Sequence, residues 1–291
     1  MAGPLIQNVS DTAFMVAVYR AMETERPDAL FHDPLAAKLA GEHGKAIVAD
    51  MRRGARFGAW LLAIRTHIID GFIRSAIDGG INTVVNLGAG LDTRPYRMNL
   101  PASLRWIEVD FPEIIALKED RLAGETPSCR LERIALDLSE ADKRRQLFAE
   151  IAAKSDKILV LTEGVVPYLD NADVGALADA LRAEPAFRYW IVDYLSAEAL
   201  RHHRRRRENN LKMKNAPFKF DPEDYFSFFR EHGWQAKETL YIPQEAERLK
   251  RPIALPFVFR LWVMLGNLLA RKDRRNTFRK SFGYVLFQPI A

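Results

Sequence analysis

Thr83-Val-Val-Asn-Leu-Gly-Ala-Gly-Leu-Asp-Thr-Arg-Pro-Tyr-Arg97 decides how the chain is read. Residues 83–87 are mostly apolar, too few for a helix, and β-branched enough to suit a buried parallel strand. Gly88, Ala89 and Gly90 then turn the backbone tightly. A glycine has no Cβ, so a ligand can come close to its backbone. Open α/β sheets bind ligands at this kind of place, where a strand ends and the chain turns into a helix.

The loop departs from a dinucleotide-binding pattern. A third glycine belongs where Thr93 stands, and Asp92 precedes it. A carboxylate there repels a pyrophosphate at short range and favours a ligand carrying positive charge. Taken alone, the short Gly-Ala-Gly signal also fits a plain strand-to-helix turn.

Upstream of this stretch, residues 1–80 read as a helical cap. Ser10 or Asp11 can cap a helix whose Phe14, Val18 and Met22 recur at helical spacing. In Phe31-His-Asp-Pro34 the proline disfavours helix at Asp33, which is placed to cap the next helix. His32 reads as a capping or packing residue rather than a ligand. A further helix over 57–77 carries Arg65 among Trp60, Leu61, Ile64 and Ile68. An arginine there either reaches out to water or meets a carboxylate, and an amino-acid-like ligand is the expected source of one.

Downstream, residues 105–110 form a second strand ended by Phe111-Pro112. Asp110 lies twenty residues after Gly90, placed to accept both ribose hydroxyls of an adenosine. Glu108 shares its face but lies deeper. A third strand is expected near 131–136, with Asp137 and Leu138 past its end at an adenine edge and Ser139 capping the next helix. The run from Lys157 delivers Glu163 to the same edge of the sheet. A helix over 172–182, a strand over 188–194 and a closing pair at 234–242 and 282–289 complete the pattern. Strands alternating with helices predict an α/β, doubly wound parallel sheet. It occupies residues 81–291, with lid-like insertions at about 196–230 and 243–280.

Composition narrows the classes. The 291 residues are 48% hydrophobic with a net charge of +5, enough for a sizeable core and without the signature of disorder. A single cysteine, Cys129, excludes an intrachain disulfide and a cysteine-rich zinc site, and no metal is expected. Residues 1–11 lack a secretory pattern, so a cytoplasmic location is expected. Arg201-His-His-Arg-Arg-Arg-Arg207 reads as a solvated helix face or an anion contact. It interleaves no aromatics, so nucleic acid is not expected. Residues 253–270 are strongly apolar between basic flanks and approach the length of a membrane span. A span is rejected because the chain must return to the sheet. A buried or lid helix is expected, with peripheral contact to acidic lipid through 253–275 as the alternative. With the basic run it is expected to roof a cleft for an apolar, acidic substrate.

These residues together resemble the leucine carboxyl methyltransferase-like family of class I S-adenosylmethionine-dependent methyltransferases, which includes O-methyltransferases of polyketide pathways. The resemblance is carried by Glu25-Arg-Pro-Asp28, Phe31-His-Asp-Pro34, Arg65-Thr66, residues 86–94, Glu108-Val-Asp-Phe-Pro112, Asp137-Leu138, Thr162-Glu-Gly164 and Tyr168-Leu169, in matching order over about two thirds of the chain. It implies a Rossmann-like sheet of seven strands with the last antiparallel. It also implies S-adenosyl-L-methionine as cofactor, with Gly88 and Gly90 shaping the turn and Arg65 on the methionine carboxylate. Asp110 would take the ribose, Asp137 and Leu138 the adenine, and Glu163 would face the methionine end. Arg20 matches a basic residue that also reaches the carboxylate. The expected reaction is methyl transfer to a carboxylate or hydroxyl oxygen of a small, partly apolar acceptor. Tyr168, Tyr194 and His202 are candidate acceptor contacts. His202, His203, Tyr168, Asp193 and Tyr194 are candidate bases, but none sits in a readable motif and no catalytic base is assigned. A nicotinamide-dependent oxidoreductase, disfavoured by Asp92 and Thr93, and a non-catalytic cofactor-binding protein are the competing classes.

Overall fold

The computed structural model describes residues 10–51, 55–201, 217–252 and 279–290. Three helices come first: α1 Ser10–Thr24, α2 Ala36–Met51 and α3 Ala55–Asp78. Strands and helices then alternate: β1 Thr83–Leu87, α4 Arg94–Arg97, β2 Arg105–Asp110, α5 Pro112–Arg121, β3 Arg130–Ala135, α6 Ala141–Ala152, β4 Ile158–Thr162, α7 Asn171–Arg182 and β5 Phe187–Leu195. Helix Tyr225–Glu231, β6 Trp234–Tyr241, helix Ile242–Arg248 and β7 Phe282–Pro289 complete the described chain.

The strands form one seven-stranded sheet in the order β3-β2-β1-β4-β5-β7-β6. Strands β1 to β5 pair in parallel, and β7 runs antiparallel between β5 and β6. The expected doubly wound sheet with an antiparallel last strand is what the chain forms. The order reverses between β1 and β4, the switch point at which such sheets bind ligands.

Side-chain alternation along each strand divides the core in two. Val84, Leu159 and Leu161 face one way, against Ile64, Ile68, Ile69 and Phe72 of α3. Val85, Leu87 and Val160 face the other, against Phe148 of α6 and Leu177 and Leu181 of α7. Each such buried side chain contributes about 1.5–3 kcal/mol, so α3 is clamped to the sheet by several of them. That fixes the axial position of Arg65 relative to the strand ends. Helix α1 packs over the glycine turn through Ala17, Leu39 and Leu91.

Three local expectations are corrected. Ser139 does not cap α6; its N–H is held by Asp137 Oδ1 at 2.8 Å, and Glu140 stands at the cap without a side-chain bond. Asp33 is not a helix cap either, because its carboxylate is drawn inward to Arg20 and Thr93. The third strand is Arg130–Ala135, one residue earlier than expected. Asp170, by contrast, caps α7 by accepting the N–H of Asp173. Among the described residues no helix is long and apolar enough to cross a membrane. The run 202–207 and the apolar stretch 253–270 lie outside the described residues.

Candidate active site

The glycine turn is built as the sequence requires. Gly88 and Gly90 adopt φ of 65° and 48°, where a Cβ is strained. The N–H groups of Gly88 and Ala89 both donate to the Val109 carbonyl, tying the turn to β2. A Cβ on Gly88 would stand 2.4 Å from Val165 Cγ2, so the loop after β4 also closes against this backbone.

Asp110 sits at the end of β2, with 8% of its surface exposed. Gly90 N–H donates to its Oδ2 at 2.6 Å and Phe111 N–H to its Oδ1 at 2.7 Å. Each oxygen keeps a further lone pair, so the carboxylate can still accept two hydroxyls. Burial raises its pKa, and the two N–H groups offset that only in part. Asp110 pairs in register with Ala135 of β3, which brings Asp137 and Leu138 just past the same edge, both half-buried.

On the α3 side of the sheet the edge holds a buried ionic network. Arg65 Nε donates to Glu163 Oε1 at 2.6 Å, and Arg94 Nη1 donates to Glu163 Oε2 at 2.7 Å. Arg94, 1% exposed, also donates to Asp70 Oδ1 at 2.7 Å and Asp92 Oδ2 at 2.9 Å. Arg97 grips Asp70 with two bonds of 2.6 and 2.8 Å. Three guanidiniums thus face three carboxylates with charge balanced. Burial pushes Asp70, Asp92 and Glu163 upward, but the neighbouring arginines outweigh it and hold all three below their ordinary values. Asp92, which the sequence suggested as a free negative charge at the turn, is committed to Arg94 and Asn86.

Asp193, on β5, adjoins this network. Tyr284 Oη donates to its Oδ1 at 2.7 Å and Gly164 N–H to its Oδ2 at 2.8 Å. Here burial prevails over Arg65, Tyr284 and Gly164, and the carboxyl titrates above its ordinary value. Arg20 adjoins the glycine turn: its Nη2 donates to Leu91 O at 2.5 Å, one residue past Gly90, its Nε stands 2.9 Å from Asp33 Oδ2, and its charge, with that of Arg94, helps to lower Asp92.

Arg65, Gly88, Gly90, Asp110 and Glu163 therefore converge at one edge of the sheet, with Asp137 and Leu138 beside Asp110. Tyr168 and Tyr194 lie at the far end of that edge. The Tyr168 ring meets Phe218 edge-on at 5.2 Å, and Tyr194 stacks on Phe226 at 5.5 Å. Tyr194 borders a cavity of about 130 Å³ that Pro167, Asp193, Phe218, Phe220, Tyr225 and Phe226 also line. His202 and His203 lie outside the described residues. Asp70, Arg97 and Tyr284 were not singled out from the sequence. Asp70 carried a signal, a lone carboxylate on the apolar face of α3, whereas Tyr284 in a β-rich run carried none.

Residues 13–182 match the leucine carboxyl methyltransferase family. A Mycobacteroides abscessus protein named "Putative S-adenosyl-L-methionine-dependent methyltransferase" is 31% identical over 283 residues, covering 86% of this chain and 91% of that one. A Parafrankia relative with the same description is 32% identical over 265 residues, covering 84% and 82%. Among solved structures, the fold is similar to a methyltransferase-titled protein of Thermobifida fusca (TM-score 0.54, 16% identity, 95% of this chain and 94% of that one). It is also similar to a DUF574 family protein of Streptomyces avermitilis (TM-score 0.53, 15% identity, 96% and 97%). The chain belongs to the leucine carboxyl methyltransferase-like family of S-adenosylmethionine-dependent methyltransferases.

Proposed function

We propose that the protein transfers a methyl group from S-adenosylmethionine to a carboxylate or hydroxyl oxygen of a small, partly apolar molecule. The observation that carries this reading is that Asp110 ends β2 and the Arg65–Glu163 pair follows β4, the two strands that flank β1 at the switch point of the sheet. The residues fit the cofactor chemically. Asp110 has lone pairs for two ribose hydroxyls. Arg65 and Glu163 are an opposed cation and anion, matching the carboxylate and ammonium of an amino acid. Gly88 and Gly90 leave the turn without side chains where a nucleoside would approach.

When bound, the cofactor supplies a methyl group already activated on a sulfonium. The protein's task is then placement. Arg94, anchored from three sides, fixes Glu163. The burial of the network keeps water from competing for these charges. Holding the acceptor oxygen in line near the methyl group supplies up to about 7–11 kcal/mol of the barrier reduction. Isothermal titration tests the reading: Asp110→Asn and Glu163→Gln should each weaken S-adenosylmethionine affinity at least tenfold. Unchanged affinity in both variants would remove the basis for it.

A further inference from the structure

Within the buried ionic network one pair stands nearest the surface. The side chains of Arg65 and Glu163 are 19% and 13% exposed, whereas those of Asp70, Asp92, Arg94 and Arg97 are 2–5% exposed. The spacing between Arg65 and Glu163 is therefore what the carboxylate and ammonium of an amino acid would meet. Arg94 holds the Glu163 side chain through Oε2. What sets the place of Arg65, and of the backbone that carries Glu163, lies outside the network.

Arg65 Cζ lies over the Tyr284 ring, 6.0 Å from its centroid, at the outer reach of cation–π attraction. A Cβ on Gly164 would stand 3.2 Å from Arg65 Nη2, so the guanidinium rests against the backbone that follows Glu163. Gly164 takes φ 70°, and its N–H is met by Asp193 Oδ2 at 2.8 Å. The Tyr284 hydroxyl donates to the other oxygen, Oδ1, at 2.7 Å. Tyr284 is buried, so its hydroxyl depends on Asp193 for a partner. The register makes this possible: Asp193 faces Tyr284 across β5 and β7, while Thr162, the last residue of β4, pairs with Val192 beside it. One carboxylate thus ties β7 to the turn after β4, and both ends of the tie border Arg65.

We infer that Asp193 and Tyr284 are positioning residues for the amino-acid end of the cofactor. They act through Gly164 and the ring face to set the distance and angle between Arg65 and Glu163. The inference rests on the methyl-transfer reading above and adds two residues to it. A tie that only stabilised the fold would affect the whole site alike. A tie with this role matters for ligands that carry an amino-acid end and not for those that lack one.

The test is calorimetry on the full chain with S-adenosylhomocysteine and 5′-methylthioadenosine, which share the adenosine thioether and differ in the amino-acid end. Tyr284→Phe keeps the ring and removes the hydroxyl. It should raise the S-adenosylhomocysteine Kd about fivefold or more, the worth of one hydrogen bond, and leave that of 5′-methylthioadenosine within about twofold. Asp193→Asn offers one carbonyl oxygen to two donors and should do the same, so it carries the comparison if Tyr284→Phe folds poorly. The double variant should lose no more than the worse single one, because the two residues act as one unit. Equal weakening of both ligands, or unchanged S-adenosylhomocysteine affinity in the single variants, would overturn the inference. So would tighter binding in Asp193→Asn, which would mark Asp193 as a charge competing with the ligand. In each of these cases Asp110→Asn and Glu163→Gln still weaken S-adenosylmethionine binding, whereas failure of the methyl-transfer reading shows as an affinity that ignores those two substitutions.

Discussion

The two halves of the sheet's carboxyl edge are built from opposite materials. Around β1, β2 and β4 the edge is charged and buried, with Arg65, Arg94 and Arg97 locked to Asp70, Asp92 and Glu163. Around β5 and helix Tyr225–Glu231 it is aromatic, with Tyr194 against Tyr225 at 4.9 Å and Phe226 at 5.5 Å, and in the core beneath them Phe229 packs on Trp190 at 5.4 Å and on Phe287 at 4.4 Å. Charges fix positions because a buried ion tolerates little displacement from its partner. Rings fix shape while leaving room to adapt. A group held at fixed points, such as the amino-acid end of a cofactor, suits the first half.

The comparison can be broken by removing one member from each half. Arg94→Ala strips Asp92 of its guanidinium and leaves Asp70 to Arg97 and Glu163 to Arg65 alone, and unfolding in urea should show a loss of about 3–5 kcal/mol. Phe229→Ala, fully buried, should cost a similar 3–5 kcal/mol through the cavity it opens. The repairs should differ. Phe229→Leu refills most of the volume and should recover more than half of the loss. Arg94→Lys should recover little, because an ammonium cannot reproduce a fork that serves Asp70, Asp92 and Glu163 together. Equal recovery in both halves would erase the distinction.

The next effect in size concerns the turn between the halves. Gly88→Ala places a Cβ at φ 65° and 2.4 Å from Val165 Cγ2. The strained backbone costs about 1–3 kcal/mol. Pairing it with Val165→Ala should relieve the contact but not the strain, so thermal melting should place the double variant between Gly88→Ala and the parent.

Acidification should also separate the halves. Asp70, Asp92 and Glu163 are held below their ordinary values of 3.8, 3.8 and 4.5. Their contribution is present above those values and is lost as pH falls through the lowered ones. Asp193 has the opposite sign: raised above 3.8, its contribution is present below that value and is lost as pH rises through the raised one. Melting temperature should therefore fall progressively below about pH 4.5, where the carboxylates of the unfolded chain begin to take up protons that the folded network still refuses. Ring contacts carry no charge, so exchange protection of helix Tyr225–Glu231 should outlast that of α3 as the pH falls.

The charged half was also the more legible one. Short apolar runs ending in Gly88, Asp110 and Glu163 are local signals, and the strand each belongs to reads directly from period and length. The antiparallel β7 and its partner β6 were visible as a closing pair for the same reason. The aromatic half was less legible: Asp193 and Tyr194 stood out singly, but the cavity assembles Pro167, Tyr194 and Phe226 from three separated segments. No spacing in the chain encodes that meeting. The same limit hid the partners of Arg65: its apolar helix signalled a carboxylate, but Glu163 lies 98 residues away. Ser139 lies one residue before the cap position, which Glu140 takes, with its own N–H turned back to Asp137 two residues earlier.

The smallest expected effect isolates what makes the charged half strong. Lys38 and Glu125 form an ion pair at 2.8 Å, and Lys118 and Glu108 form one at 2.7 Å. The chemistry and the distance are nearly the same. The first pair is 46% and 35% exposed, whereas the second is fully buried and shares Glu108 with Arg133. Water already solvates the Lys38 ammonium, so Lys38→Ala should change stability by no more than about 0.5 kcal/mol, and added salt should shrink even that. Lys118→Ala would leave Glu108 of β2, with 0% exposure, to Arg133 alone. If urea titration found the two variants equally damaging, charge pairing itself would be the stabilising agent. A large gap between them assigns the strength of the network to desolvation, and with it the rigidity that holds Glu163 in place.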